Sequence, residues 1–200
     1  IGPLHGTPIE VVHLHSLAYR LFQQHLRRTE SLLEASPERD ELSELLTEAI
    51  QRAGAVFDSK FVRPEWETII DAWNVRELDT YLRIERIGRK MPLQPSQREN
   101  LWPVFEQMWR LLEERHKVTY SGVCYAVAEY LAQHPESQYR CVVVDEAQDF
   151  GPAELTLIRA LAPAHLDNAL FLCADSRQRI YRPTVPWIRF GIDTRGRSYT

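Results

Sequence analysis

The chain has 200 residues, of which 44% are hydrophobic and 26% are charged, a balance that is ordinary for a globular protein. Its length suits one domain, or one domain that carries a large insertion, and its net charge of −4 gives no global positive field that would indicate a nucleic-acid-binding protein. The sequence has no apolar stretch of about 18 residues and no basic-then-apolar leader, so we expect a cytoplasmic protein without a membrane partner.

The first third of the chain predicts one strand followed by helices. Residues Ile9 to Leu14 form a short β-rich run and predict the first strand. Residues 16–26 then carry leucines and a phenylalanine at helical spacing. Ser36 followed by Pro37 predicts the start of a second helix, because serine is a preferred cap and proline suits the first turn. The apolar stripe of that helix comprises Leu42, Leu45, Leu46, Ala49, Ile50 and Ala53.

The middle of the chain predicts further helices. Segments 64–73 and 77–87 have helical character, and Ser96 and Glu99 lie at capping-box spacing before a long amphipathic helix. Residues 121–133 repeat apolar side chains at helical spacing and predict one more helix. We therefore expect an all-helical region that contains its own core.

The sequence changes character after residue 138. Residues 139–144 form a continuous apolar run, as expected of a parallel strand that is covered on both faces. A helix at 153–161 and a second covered strand at 168–174 follow, and such a strand–helix–strand unit places its strands side by side. The sequence thus predicts an α/β fold in which a helical insertion interrupts a parallel sheet. The predicted division is residues 1–24 and 139–200 for the sheet-bearing core and residues 25–138 for the insertion.

A dense group of acids follows the strand at 139–144. The sequence VVVDEAQDF places Asp145, Glu146 and Asp149 within five positions, where they repel one another unless a cation or a donor compensates them. Ligands of open parallel sheets bind at the carboxyl ends of strands, where Asp175 also falls. An apolar strand that ends in Asp-Glu is the Walker B pattern, which holds Mg²⁺ and activates the water that attacks a nucleotide phosphate. A solvated acidic loop is the alternative.

Three stretches together resemble the UvrD/Rep-like branch of superfamily 1 DNA helicases. The sequence DEAQD at 145–149 resembles motif II of that family, and CADSRQRIY at 173–181 is similar to motif III. The sequence VVHLHSLAYRLF at 11–22 resembles the motif after an early strand. The resemblance implies a partial RecA-like P-loop NTPase fold with a helical insertion. It also implies ATP and Mg²⁺ as cofactors and a DNA-stimulated ATPase that unwinds DNA, moving 3′ to 5′ on a single strand.

The resemblance also implies a role for each matching position. Glu146 would be the catalytic base, supported by Gln148 and by Gln178, which would sense the γ-phosphate. The nucleotide site would include Asp145, Asp149 and Asp175, with Asp145 holding Mg²⁺ through water. The implied contacts to DNA are His15, Ser16, Tyr181, Arg182 and Trp187.

One departure from the family concerns the phosphate-binding loop. The sequence contains no GxxxxGK[ST] and no Gly-Lys pair, although a bound phosphate needs the backbone N–H groups and the lysine of that loop. We therefore expect a fragment of a larger helicase, without the loop and the second motor lobe, that does not hydrolyse ATP by itself. The strand at 168–174 would then have an unpaired apolar edge, which predicts a dimer or a swapped contact.

Two other classes of function stay open. A metal-dependent nuclease would use the carboxylates of Asp145, Glu146 and Asp149. A degenerate helicase-like domain would act without catalysis, as a docking module for DNA or protein. His13 and His15 alternate along the first predicted strand, but no third metal ligand follows at a suitable spacing.

Other residue types have simpler interpretations. The three cysteines, at 124, 141 and 173, lie in apolar contexts and are expected to be reduced core thiols. Trp66, Trp73, Trp102 and Trp109 are expected to pack inside the insertion. A solvated face or a surface for duplex DNA is expected of the arginines at 76, 83, 86, 89 and 98.

Overall fold

The computed structural model is mainly helical in the part of the chain that it describes. The described residues are 9–26, 30–33, 40–89, 91–137, 139–163, 165–166, 168–174 and 186–193. The α-helices are α1 (Leu14–Leu26), α2 (Glu41–Arg52), α3 (Ser59–Glu65), α4 (Leu78–Arg83), α5 (Pro95–Glu114), α6 (Tyr120–Gln133) and α7 (Pro152–Leu161). The strands are β1 (Ser31–Leu32), β2 (Lys117–Val118), β3 (Val142–Val144) and β4 (Leu170–Leu172). A π-helical segment spans Trp66–Asp71, and 3₁₀ turns span Pro135–Ser137, Ala147–Asp149 and Trp187–Phe190.

The buried side chains form two separate cores. One core lies among α2, α3, the π-helical segment, α4 and α5, and its largest buried residues include Trp66, Tyr81 and Phe105. The other core lies among α1, α6 and α7 and includes Phe22 and Leu157. The tryptophan prediction is confirmed, because all four rings belong to or pack against the first core.

The prediction of a first strand at residues 9–14 is wrong. Residues 9–13 have no regular secondary structure, and α1 already begins at Leu14. The side chain of Val11 is 95% exposed. β-Branched residues favour a strand where neighbours cover their side chains, and none of the described strands pairs with this segment.

The predicted parallel pairing of the two later strands is confirmed. β3 and β4 pair in parallel, with Val143 opposite Phe171. The expectation that both faces are covered is wrong, because Val143 is 69% exposed and Phe171 is 53% exposed. Val142 packs against the second core, so the described helices cover only the face to which it points. The dimer expected at the strand edge stays a prediction.

Two helices begin at residues other than those predicted. Helix α2 begins after Asp40, whose carboxylate accepts a hydrogen bond from the Ser43 amide at 3.3 Å, while Ser36 and Pro37 lie outside the described residues. Helix α5 begins at Pro95, because proline has no N–H to donate and suits the first helical position. The cap is therefore Gln94 and not Ser96. The backbone amide of Gln94 donates a hydrogen bond to the side-chain oxygen of Gln97 at 2.8 Å.

The arginine and cysteine predictions are partly wrong. Arg86 and Arg89 pair with the buried carboxylate of Glu65 at 2.6 and 2.9 Å, and Arg98 donates to three backbone carbonyls at the C-terminal end of α4. These guanidinium groups therefore take part in the fold around the first core and are not a solvated face. Cys124 is buried as expected, whereas the cysteines at 141 and 173 are exposed. A polar pattern on a helix cannot show by itself which arginines find buried partners.

The two cores meet at a polar junction. Asp71, at the end of the π-helical segment, accepts a hydrogen bond from the Thr119 hydroxyl at 2.6 Å. The same hydroxyl caps α6 by accepting from the Gly122 amide at 3.0 Å. The carbonyl of Ala72, the residue after Asp71, accepts a hydrogen bond from the Tyr125 hydroxyl at 2.8 Å. The end of the π-helical segment is thereby fixed to α6 through polar contacts.

The junction carboxyl makes the stability of the chain depend on pH. Burial raises the pKa of Asp71 to about 6, although hydrogen bonds from Thr119 and Ser121 and the charge of Arg76 act in the opposite direction. The nearby Glu154 raises the pKa of Asp71 further. Because the folded chain binds this proton more tightly than the unfolded chain, the stabilising effect of the protonated carboxyl is lost as the pH rises through about 6.

Replacing Asp71 by asparagine is expected to stabilise the chain above pH 7 and to have little effect near pH 4. Asparagine keeps an oxygen that accepts from Thr119 but carries no charge, so we expect a gain of up to about 3 kcal/mol at pH 8. Urea unfolding of both proteins between pH 4 and pH 8 measures the difference. A difference that is the same at every pH would contradict the assignment.

Candidate functional site

The acidic turn is fixed to the ends of both later strands. The Cys173 amide donates to the Val144 carbonyl at 2.8 Å, and the Ala147 amide donates to the Cys173 carbonyl at 2.9 Å. The side chain of Ala147 is fully buried. The turn that carries Asp145 and Glu146 is therefore anchored on both sides, at the carboxyl end of the parallel pair where the sequence places it.

Glu146 has a left-handed backbone conformation, with φ of 51° and ψ of 39°. This region costs a residue with a side chain roughly 1 kcal/mol, and such strain is concentrated at functional sites. Two hydrogen bonds maintain the conformation. The Glu146 amide donates to the Asp145 carboxylate at 3.0 Å, and the Asp149 amide donates to the Glu146 carbonyl at 2.9 Å.

The three carboxylates of the turn are all exposed to solvent. Asp145, Glu146 and Asp149 lie in a five-residue turn, and the Gln148 side chain donates a hydrogen bond to the Glu146 carboxylate. A carboxylate oriented in this way can accept a proton from a bound water. Asp145 offers the hard oxygen ligands that a hydrated divalent cation prefers.

Helix α7 begins directly after the acidic turn and contacts α1. The Gly151 amide donates to the Glu154 carboxylate at 3.2 Å, which caps the helix. The other oxygen of Glu154 lies 3.5 Å from Nε2 of His15, whose ring centroid is 5.0 Å from that of Tyr120. His15 and Ser16 are exposed in the first turn of α1 and not on a strand.

Glu154 was not among the predicted site residues. Its position three residues after Gly151 has the spacing of a capping box, and that signal could have identified it as the first-turn acid of α7. Its contact with His15 depends on the packing of α1 against α6 and α7, which the local sequence does not show. The structure therefore adds one residue that links His15, in the stretch 11–22, to the helix after the acidic turn.

Several predicted site residues lie outside the described residues. These are Asp175, Gln178, Tyr181 and Arg182. Trp187 is described, and it begins the 3₁₀ turn Trp187–Phe190 with a partly exposed side chain. The joint role of Glu146 and Gln178 at the γ-phosphate thus stays a prediction.

The described part of the chain has neither a cluster of metal ligands nor a membrane-spanning helix. No three or more His, Cys, Asp and Glu side chains in this part of the chain are grouped so that they could hold a metal ion. Mg²⁺ does not require such a group, since it keeps several waters and is held by one or two carboxylates together with phosphate oxygens. None of the described helices is long and apolar enough to span a membrane.

A largely helical chain with small parallel sheets, one of which ends in an acidic turn, is consistent with the N-terminal domain of a helicase. The sequence pattern of the UvrD/REP helicase N-terminal domain matches residues 5–183. The chain therefore belongs to this family of DNA helicases, as its motifs predict. No curated protein matched the chain in a second comparison.

Proposed function

We propose that this chain is the part of an ATP-dependent DNA helicase that supplies the metal-holding and water-activating carboxylates of its motor. The observation that carries the proposal is the acidic turn anchored to the ends of β3 and β4. A rigid turn at the carboxyl end of a parallel pair is where such folds bind nucleotides. The family match adds DNA as the polymer on which the motor acts.

The carboxylates of the turn fit a site for Mg²⁺ and ATP. When bound, Mg²⁺ neutralises charge on the phosphates and ATP supplies the phosphoryl group that is transferred to water. Asp145 would hold the ion through water, because its exposed carboxylate follows directly on β3. Asp149 and Asp175 would line the same site.

Glu146 would act as the general base. Its exposed carboxylate accepts a hydrogen bond from the Gln148 side chain, which limits the directions in which it can point. In this position it would accept the proton of the water that attacks the γ-phosphate. Gln178 would respond to the γ-phosphate from the segment that follows β4.

The DNA contacts would come from two segments of the chain, one before the insertion and one after it. His15 and Ser16 are exposed at the start of α1, where they can reach a phosphate or a base. Tyr181, Arg182 and Trp187 would add rings for base stacking and a cation for the backbone, which suits binding that is independent of sequence. The proposed motor moves 3′ to 5′ on single-stranded DNA.

A longer form of the protein that includes a phosphate-binding loop and a second motor lobe tests the proposal. We expect ATP hydrolysis that single-stranded DNA stimulates, together with unwinding of duplexes that carry a 3′ overhang and not of duplexes with a 5′ overhang. The 200-residue chain alone is expected not to hydrolyse ATP. Absence of DNA-stimulated hydrolysis in the longer protein would refute the proposal, and Mg²⁺-dependent cleavage of DNA by the chain would favour the nuclease.

A further inference from the structure

Residues Pro186–Asp193, here called the strap, form a short ordered segment after the motif III match. The Arg189 amide donates to the Pro186 carbonyl at 3.0 Å. The Gly191 amide donates to the carbonyl of Ile188 at 3.1 Å, and the Ile192 amide donates to that of Trp187 at 3.2 Å. Gly191 has a φ of 72°, which a residue with a side chain rarely adopts.

One side of the strap packs against α7. The strap contacts α7, and the side chain of Ile192 is buried. A Cβ atom placed on Gly191 would lie 3.8 Å from Nε of Arg159, near the end of α7. The contact with α7 and the buried isoleucine fix this side of the strap to the helix that follows the acidic turn.

The other side of the strap contacts the helical insertion. The Phe190 ring lies 6.0 Å from the Trp73 ring, centroid to centroid, at an interplanar angle of 32°. The Arg189 guanidinium pairs with the Glu85 carboxylate at 2.6 Å. Trp73 follows the π-helical segment and Glu85 follows α4, so both partners lie within the predicted insertion, residues 25–138.

We infer that Phe190 and Arg189 are positioning residues that tether Trp187 to the helical insertion. Trp187 starts the turn that Phe190 ends, and the Trp187 carbonyl accepts a hydrogen bond from the Ile192 amide, so the three residues belong to one hydrogen-bonded turn. The contacts with the insertion thereby determine where the Trp187 ring lies relative to α7. The inference rests on the proposed function in one respect, which is that Trp187 contacts single-stranded DNA.

The two contacts differ in their expected strength. The Arg189–Glu85 pair is exposed on both sides and is screened by water, so it contributes little by itself. The Phe190–Trp73 contact joins two partly buried rings at a spacing typical of favourable aromatic pairs. Phe190 is therefore the main attachment, and the ion pair fixes the orientation of the strap.

Hydrogen exchange of the 200-residue chain tests the tether without DNA. We expect the Gly191 and Ile192 amides to exchange about tenfold faster in Phe190→Ala, given the usual strength of an aromatic pair. Arg189→Glu should raise the exchange rate of the same amides about threefold, as for an exposed ion pair. Adding Glu85→Arg to this variant should restore the wild-type exchange rate. The matched control is Arg83→Glu, which breaks an exposed pair with Asp79 on α4 and should leave both amides unchanged.

Binding of a fluorescently labelled oligothymidylate to the same variants tests the positioning. Phe190→Ala should weaken binding in the wild-type background and have no further effect in the Trp187→Ala background, because the two residues act through one contact. Unchanged exchange in both strap variants would overturn the tether. Faster exchange with unchanged affinity would overturn the positioning role. Failure of the wild-type chain to bind the oligothymidylate would refute the DNA contact of Trp187, and with it the positioning role, whereas the exchange result would still decide the tether.

Discussion

Replacing Glu65 by alanine is expected to destabilise the chain by about 3–5 kcal/mol, because it leaves buried charges without a partner. The carboxylate of Glu65 is 0% exposed and accepts two hydrogen bonds from Arg86, both at 2.6 Å. It also accepts from Arg89 and from the Tyr81 hydroxyl, each at 2.9 Å. Removing this one side chain therefore leaves two guanidinium groups and a buried hydroxyl in the first core without their carboxylate partner.

The lowered pKa of Glu65 makes the destabilisation caused by Glu65→Ala depend on pH. Burial alone would raise the pKa, but the hydrogen bonds and charge of Arg86, with hydrogen bonds from Tyr81 and Arg89, lower it below its usual value. A lowered pKa in the folded chain means that the pair stabilises the fold at neutral pH and that this contribution is lost as the pH falls. The wild-type chain and the Glu65→Ala variant should therefore approach each other in stability in acid.

Chemical denaturation followed by circular dichroism measures the loss, with Glu67→Ala as the matched control. Glu67 lies two residues away and pairs with Arg63 on the exposed surface, so its replacement should cost less than about 1 kcal/mol. If Glu65→Ala does not fold, Glu65→Leu combined with Arg86→Leu should recover part of the stability, because apolar residues can replace a buried ion pair. Equal stabilities of the Glu65→Ala and Glu67→Ala variants would contradict the argument.

Helix and strand positions in the last third of the chain could be predicted from local pattern. Helix α7 and the β3–β4 pair follow from a repeat of apolar residues and from two uninterrupted apolar runs. The strand expected at residues 9–14 failed because a strand also requires a partner, and a β-rich composition does not supply one. The buried role of Arg86 depends on a carboxylate 21 residues away, which no periodic pattern reveals.

The place of the candidate site could be predicted, but its fine geometry could not. The apolar run before Asp145 locates the acids at the end of a strand. The left-handed conformation of Glu146 is maintained by hydrogen bonds within the turn, and the hydrogen bond from Ala147 to Cys173 forms only when β4 pairs with β3. Sequence patterns describe neighbours along the chain, whereas this turn is anchored to Cys173, 26 residues after Ala147 and across a βα crossover.

Glu146→Gln in the longer, active form of the protein is expected to lower ATP hydrolysis by at least about 100-fold, the usual loss when a general base is removed. Glutamine has the shape of glutamate and can accept the same hydrogen bond from Gln148, so the turn should keep its structure. ATP binding should be retained, because Asp145 still holds the cation. Steady-state hydrolysis and binding of a labelled nucleotide separate the two effects.

Glu146→Gly provides a control that separates chemistry from backbone strain. Glycine adopts the left-handed conformation at φ of 51° without steric cost, so this variant should be more stable than the Gln variant by up to about 1 kcal/mol. It should nevertheless be as inactive, since it also lacks the carboxylate. If either variant hydrolysed ATP at the wild-type rate, Glu146 would not be the base, and the strained turn would serve only to shape the end of the strand.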